Sequence, residues 1–241
     1  MVLRNTYKDS QRATAYDELG LGGTYDLVFR NLPTLLKQYV QGTRALDFGC
    51  GTGRSTRFLQ NLGFTTTGVD ISAEMVKFAL QHDPNGNYQL IEDGNFLSLP
   101  EAGFDLVQSA FTFDNISGLE RRIKMFYGLG KLLDDNGVLV NIVSTPEIYT
   151  NEWLTFSTRD FPANKLAQSG DVVKIITTEY SDARPVEDVI WSHEDYLYLF
   201  KESGLNVVHV TRPLASGNEG IAWKSETSVA PWAIYLLRRC G

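Results

Sequence analysis

The chain has 241 residues, of which 43% are hydrophobic and 21% charged, with a net charge of -7 and a pI near 5.0. That length suits one large domain, expected to run over 1–241. The acidic balance argues against a nucleic-acid partner, because it repels a phosphate backbone. Two cysteines, Cys50 and Cys240, suggest no disulfide framework and fit a reducing compartment. The opening MVLRNTYKDSQR lacks the apolar core of a secretory signal, and no apolar run is long enough for a bilayer. The expected location is therefore cytoplasmic, with no membrane partner.

Residues 1–41 read as a helical cover. Leu27, Val28, Leu32, Leu35 and Leu36 recur at helical spacing, with Pro33 kinking or dividing the run. TRALDFG is a short buried strand ending at Gly49, and Gly51 to Leu62 a helix closed by Gly63. FTTTGVD is a second strand, rich in β-branched residues. Ser72 caps the following helix, whose stripe is Met75, Val76, Ala79 and Leu80. NYQLIED and FDLVQSAFTF are the third and fourth strands, LERRIKMFYGLGKLL a helix, and GVLVNIVST the fifth strand. Residues 146–191 break the rhythm and read as an insertion over the substrate, with DVVKIITTEY and PVEDVIW as a hairpin. Ser192 and Asp195 open the helix SHEDYLYLFKESG, and LNVVHVTRP and APWAIYLLRR are the last two strands. Strands alternating with helices predict an α/β fold with a doubly wound, mostly parallel sheet of seven strands. Its ligands bind beyond the carboxyl ends of the strands, at the switch point in strand order.

The stretch ALDFGCGTG, 45–53, belongs at that crevice. Gly49, Gly51 and Gly53 run G-x-G-x-G, whereas the dinucleotide fingerprint needs G-x-G-x-x-G, and Arg54 stands where its third glycine would fall. The P-loop pattern is also absent. Asp47 beside a pyrophosphate would be repulsive and beside a cation attractive. The expected ligand therefore carries positive charge and no phosphate, which fits S-adenosylmethionine.

The stretch resembles motif I of the class I S-adenosylmethionine-dependent methyltransferases, and the resemblance extends from about Thr43 to Gly204. It implies the Rossmann-like methyltransferase fold and S-adenosyl-L-methionine as cofactor. Asp70, 23 residues after Asp47, would accept both ribose hydroxyls, with Ile71 beside it. Asp93, flanked by Gly94 and Asn95, would hold the adenine amino group. Gln108 to Phe111, at the end of the fourth strand, would border the methionine portion and the acceptor, with Ser109 and Ala110 touching the cofactor. Cys50 lies within the glycine turn. Tyr7, Tyr16 and Tyr25 are spaced through the N-terminal region, and Tyr16 and Tyr25 are candidates to close over the cofactor.

Methyl transfer is an in-line displacement that needs alignment, and a base only if the acceptor must lose a proton. The candidate bases are His193, which opens a helix after the insertion, and Asp114 after the fourth strand. No metal site is expected. Trp153, Phe156, Phe161 and Trp191 with Arg159 and Arg184 suit a planar or anionic small acceptor. FTFDNI stands where nucleic-acid and amide methyltransferases often carry an N-P-P-Y-like motif, which lowers the odds of such acceptors. The leading expectation is a small-molecule methyltransferase. The alternatives are a protein or RNA methyltransferase, a non-catalytic S-adenosylmethionine-binding protein, and a nicotinamide dehydrogenase.

Overall fold

The computed structural model describes residues 10–178, 182 and 184–240. Tyr7 and the end of the DVVKIITTEY segment lie outside these residues.

Three short helices precede the sheet: α1 (Ser10–Asp17), α2 (Asp26–Phe29) and α3 (Leu32–Tyr39). Pro33 sits in the first turn of α3, where a missing N–H costs nothing, so it divides the helices and kinks none. The alternating units then follow: β1 (Arg44–Phe48), α4 (Arg54–Asn61), β2 (Thr65–Asp70), α5 (Ala73–His82), β3 (Asn87–Leu90), β4 (Phe104–Ala110), α6 (Leu119–Leu132) and β5 (Leu133–Ser144). β6 (Phe156–Ser157), β7 (Val172–Thr177) and β8 (Val186–Val189) form a small antiparallel sheet. α7 (His193–Glu202), β9 (Leu205–Thr211) and β10 (Trp232–Arg239) complete the chain.

The main sheet has seven strands in the order β3-β2-β1-β4-β5-β10-β9, with β10 antiparallel to both neighbours and the β3 to β5 pairings parallel. The order reverses between β1 and β4, so the crevice opens at their carboxyl ends. β5 begins four residues earlier than its sequence signal, at Leu133, and a register shift against β4 absorbs the extra residues. The two-residue strand β6 gave no period-2 signal.

Both faces of the sheet are covered, and the alternation along each strand decides which face a residue joins. Val138, Val140 and Ile142 of β5 pack with Leu106, Ile234 and Leu236 under α2, α3 and the insertion. Leu139 and Val143 pack with Val107, Tyr235 and Leu237 under α6 and α7. Ser72 and Ser192 cap α5 and α7, each accepting the backbone N–H three residues on.

The cover, the insertion and the segment before β10 are tied together by Glu226, which is fully buried. Its Oε1 accepts from Thr24 Oγ1 at 2.8 Å and from Leu154 N at 2.6 Å, and its Oε2 accepts from Lys224 N at 2.8 Å. Trp232 Nε1 adds a bond to Thr24 O at 2.9 Å. Glu226→Gln keeps the shape but turns one acceptor into a donor facing other donors. It should lower stability by about 1.5–3 kcal/mol, read as a reduced midpoint in urea unfolding; an unchanged midpoint would mean that the tie is dispensable.

Candidate active site

An elongated cavity at the switch point encloses about 1310 Å³, counting its open mouth. One half is bounded by Gly49, Gly51, Asp70, Ile71, Ile91 and Asp93, with Tyr16 and Leu19 of the cover. The other half is bounded by the turn after β4, by Ile148, Phe156, Ile175 and Asp188 of the insertion, and by Tyr25 and Trp232.

The glycines have distinct reasons to be bare. Gly49 has φ +73°, and a Cβ there would stand 2.2 Å from Thr112 Oγ1, which itself donates to Phe48 O at 3.0 Å. Gly51 has φ +53°, and its Cβ would stand 3.3 Å from Tyr16 Cε1. Arg54, which spoils the dinucleotide spacing, fastens the cover to this turn. It donates to Gly20 O at 2.8 Å and to Tyr16 Oη at 3.2 Å, and its guanidinium lies 5.1 Å from the ring centroids of both Tyr16 and Tyr25. Asp17 of α1 pairs with His82 of α5 at 2.7 Å and anchors the other end of the cover.

Asp70 ends β2 and accepts from Gly51 N at 2.9 Å and Ser72 N at 2.8 Å. Burial pushes its carboxyl up from the ordinary range, against these two backbone bonds. Each oxygen keeps acceptor capacity for hydroxyl donors in the cavity. Asp93 also lines the cavity and is paired with Arg121 of α6.

Asp47 does not line the cavity. Phe48 takes the cavity side of β1, so Asp47 faces α4, where its Oδ2 accepts from Ser55 Oγ at 2.6 Å and Thr56 Oγ1 at 2.7 Å. It fastens the start of α4 beneath the glycine turn, and burial raises its pKa. The carboxylate expected beside a cation is instead turned to the hydroxyls of Ser55 and Thr56. Cys50 is buried, and its thiol is pushed well up by desolvation. Cys50, Gly53, Gly94, Asn95 and Ser109 shape the surrounding backbone without lining the cavity.

His193 does not line the cavity either. Its Nδ1 is 2.8 Å from Tyr235 Oη and the two rings stack at 5.7 Å, which holds the imidazole on the face covered by α7. Asp114 does line it, 4% exposed. Its carboxylate accepts from Ser144 Oγ at 2.7 Å and from Ser144 N at 3.1 and 3.2 Å. Burial, only partly offset by these bonds and by Arg122, lifts its pKa to about 6. Ala110, Tyr16 and Tyr25 line the cavity.

The insertion also differs from expectation in detail. Trp153 is fully buried, with Nε1 donating to Ile148 O at 2.7 Å, and Trp191 lies against Arg122. Arg159 and Arg184 do not line the cavity, and Arg184 pairs with Asp182. Among the described residues, the lining instead carries four carboxylates, Asp70, Asp93, Asp114 and Asp188, and one basic side chain, Arg121. Asp188, Trp232 and the buried Arg122 were not singled out from the sequence. The only trace of Arg122 was its place on the apolar face of α6, beside Met125 and Phe126.

These findings agree with comparisons to known proteins. The Methyltransferase domain family profile matches residues 46–141. An uncharacterized methyltransferase of Bacillus pumilus is 28% identical over 196 residues, covering 79% of this chain and 88% of that one. The N-demethylindolmycin N-methyltransferase of Streptomyces griseus is 22% identical over 207 residues, 85% of each chain. The crystal structure of an S-adenosylmethionine-dependent methyltransferase from Clostridium acetobutylicum superposes with a TM-score of 0.65 at 17% identity, covering 96% of this chain and 98% of that one. Residues 46–141 form a Methyltransferase domain, and the chain is an S-adenosylmethionine-dependent methyltransferase with the Rossmann-like fold of class I. No helix among the described residues is long and apolar enough to cross a membrane.

Gly49→Ala combines left-handed strain with the Thr112 clash, whereas Gly63→Ala, at φ +94° with open space around it, bears the strain alone. Thermal and urea unfolding should show Gly49→Ala losing clearly more than the 1 kcal/mol or so expected of strain. Equal losses in the two variants would mean that the turn readily moves off Thr112.

Proposed function

We propose that the protein methylates a small-molecule acceptor held between the N-terminal cover (1–41) and the insertion (146–191) of one domain. The observation that carries this reading is a single cavity that joins the glycine turn to the insertion. A nicotinamide dinucleotide would set its pyrophosphate in the half that holds Asp70 and Asp93, with Arg121 already paired to Asp93. A ligand without phosphate that carries an ammonium and a sulfonium suits the same lining.

The residues fit S-adenosylmethionine. Gly49 and Gly51 leave room at the turn, Asp70 offers lone pairs to a ribose diol, and Asp93 stands toward the adenine end, with Gly94 and Asn95 behind it. Ile71, Ile91 and Met75 give a flat apolar wall. Ala110 leads toward the methyl end. When bound, the cofactor supplies an electrophilic methyl group, so the protein's work is alignment and exclusion of water. Tyr16 and Leu19 close one side, and Phe111, Phe156 and Trp232 the other. The N-methyltransferase of Streptomyces griseus is named for a small-molecule acceptor, which supports the same class here.

Asp114 is the base in this reading. It lines the cavity, and burial lifts its pKa to about 6, between an ordinary carboxylate and neutrality. The active form is the carboxylate, so activity rises as pH climbs through about 6 and is lost below it. Asp114→Asn should remove that limb and lower kcat by about 10²–10⁴-fold. A retained limb would move the titration to another group.

Calorimetric titration with S-adenosylhomocysteine and with NAD tests the cofactor. The homocysteine adduct should bind and NAD should not. Asp70→Ala should weaken binding by roughly 10- to 150-fold, the equivalent of about 1.5–3 kcal/mol for bonds to a charged acceptor. Unchanged affinity in a folded variant would reduce Asp70 to its bonds with Gly51 and Ser72.

A further inference from the structure

Phe111 opens the turn after β4 with φ +61°, in the left-handed region where a bulky side chain is strained. Backbone bonds hold it there: Phe111 N donates to Ile142 O at 2.8 Å, and Phe111 O accepts from Asp114 N at 3.3 Å. Strain of this kind persists only where the surroundings fix it, and it gathers at ligand sites. The ring of Phe111 and the carboxylate of Asp114 are carried by one turn, and both line the cavity.

The strained backbone positions a ring that the core does not fully enclose. Four aromatic side chains line this half of the cavity: Tyr25, Phe111, Phe156 and Trp232. Tyr25 stacks on Trp232 at 5.5 Å, and Phe156 meets both edge-on at 5.4 and 5.7 Å. Those three are buried, whereas Phe111 is partly exposed. It leans on Tyr25 at 5.2 Å and on Trp232 at 4.7 Å, inclined at 66° and 58°. The three buried rings thus form a backing, and Phe111 is the member of the group that presents most to a ligand. Ile148 and Ile175 add apolar lining from the insertion. An aliphatic body would gain burial against such a wall. A flat unsaturated ring would gain burial and, in addition, the attraction between quadrupoles that the inclined rings already display here.

We infer that the acceptor carries a flat unsaturated ring, and that Phe111 recognises that ring from a turn whose strain holds it at the cavity. This rests on the small-molecule reading above and names the class of acceptor for that site. The inference is independent of the charge on the group that receives the methyl, because the contact is made to the body of the acceptor. Leucine or methionine at 111 would keep the strained backbone and an apolar side chain but present no π system. Tyrosine would keep the π system. Recognition of the ring is therefore separable from burial of apolar surface.

The test uses the full chain saturated with S-adenosylhomocysteine, with saturation checked for each variant. Three pairs of probes are titrated by calorimetry, each pair sharing a head group: 2-phenylethanol and 2-cyclohexylethanol, 2-phenylethylamine and 2-cyclohexylethylamine, 3-phenylpropionate and 3-cyclohexylpropionate. The cyclohexyl member is the more apolar, so burial alone favours it. For at least one head group the phenyl member should instead bind roughly 2- to 10-fold more tightly, as expected of an added aromatic pair. Phe111→Leu and Phe111→Met, with folding checked by circular dichroism, should erase or reverse that preference, and Phe111→Tyr should keep it. The inference is overturned if no phenyl probe outbinds its cyclohexyl partner, absence of binding included, or if the preference survives in the leucine and methionine variants. Failure of S-adenosylhomocysteine to bind would instead sink the cofactor reading on which the inference rests.

Discussion

Arg122 has no solvent exposure, and its donors reach two backbone carbonyls and a phenol. Those carbonyls, of Phe113 and Ile116, belong to the turn that carries Asp114, while the phenol belongs to α7. The guanidinium also lies 4.3 Å from the centre of the Trp191 ring. A buried cation is tolerated only with such satisfaction, and the same geometry fixes the turn in space. Lysine could not replace it, because three donors on a flexible stem do not span three separate acceptors held at these angles. The position of the cavity's principal carboxylate is thus set by a residue that never touches the cavity. Beneath it, Phe113 stacks on Phe126 at 3.8 Å, and Phe126 meets Phe200 edge-on at 5.1 Å, so the turn rests on the most aromatic part of the core.

The glycine turn obeys a similar logic on the other side of the switch point. Asp47 and Asp70, near the ends of neighbouring strands, have separate tasks because Asp47 is paired with Gly68, two residues before Asp70, so Asp70 stands further out at the crevice end of the sheet. Asp47 holds the first turn of α4 from below; Asp70 holds the glycine turn from the side and still faces the cavity. Arg54 then closes the turn from above by gripping the cover. The cover, the turn and α4 are therefore joined at one place, since Tyr16 touches both the turn and the cavity.

Much of this frame was legible in the sequence. The seven strands, the hairpin of the insertion and the caps at Ser72 and Ser192 rest on local signals: β-branched runs, glycine stops and short polar residues before apolar periods. Gly49, Gly51, Asp70, Ala110, Asp114, Tyr16 and Tyr25 could be placed at one cavity because each follows from a strand end or from the cover. Asp47 could not be resolved, because strand signals do not say which face a single polar residue takes. His193 was misplaced because a helix start after the insertion does not reveal the Tyr235 contact, which comes from β10, 42 residues further on. Arg122, Asp188, Glu226 and Trp232 depend on pairings far apart in the chain, and no periodicity records those.

Phe111 shows how strongly the site is specified. With Ala102 it is one of two non-glycine residues of positive φ among the described residues, at +61°. A bulky side chain in the left-handed region costs on the order of 1–3 kcal/mol. Glycine would remove that strain, but it would also remove the ring that packs against Tyr25 and Trp232. The backbone is held in place from both sides: Phe111 N donates to Ile142 O at 2.8 Å, and Thr112 Oγ1 donates back to Phe48 O at 3.0 Å. The sharp reversal after β4 that follows turns the chain so that Asp114 points toward Ser144 and the cavity instead of continuing away from the sheet. Strain at Phe111, the bare Cα of Gly49 and the buried fork of Arg122 are thus three conditions on one turn. Each is expensive alone, and together they leave the carboxylate of Asp114 few places to go.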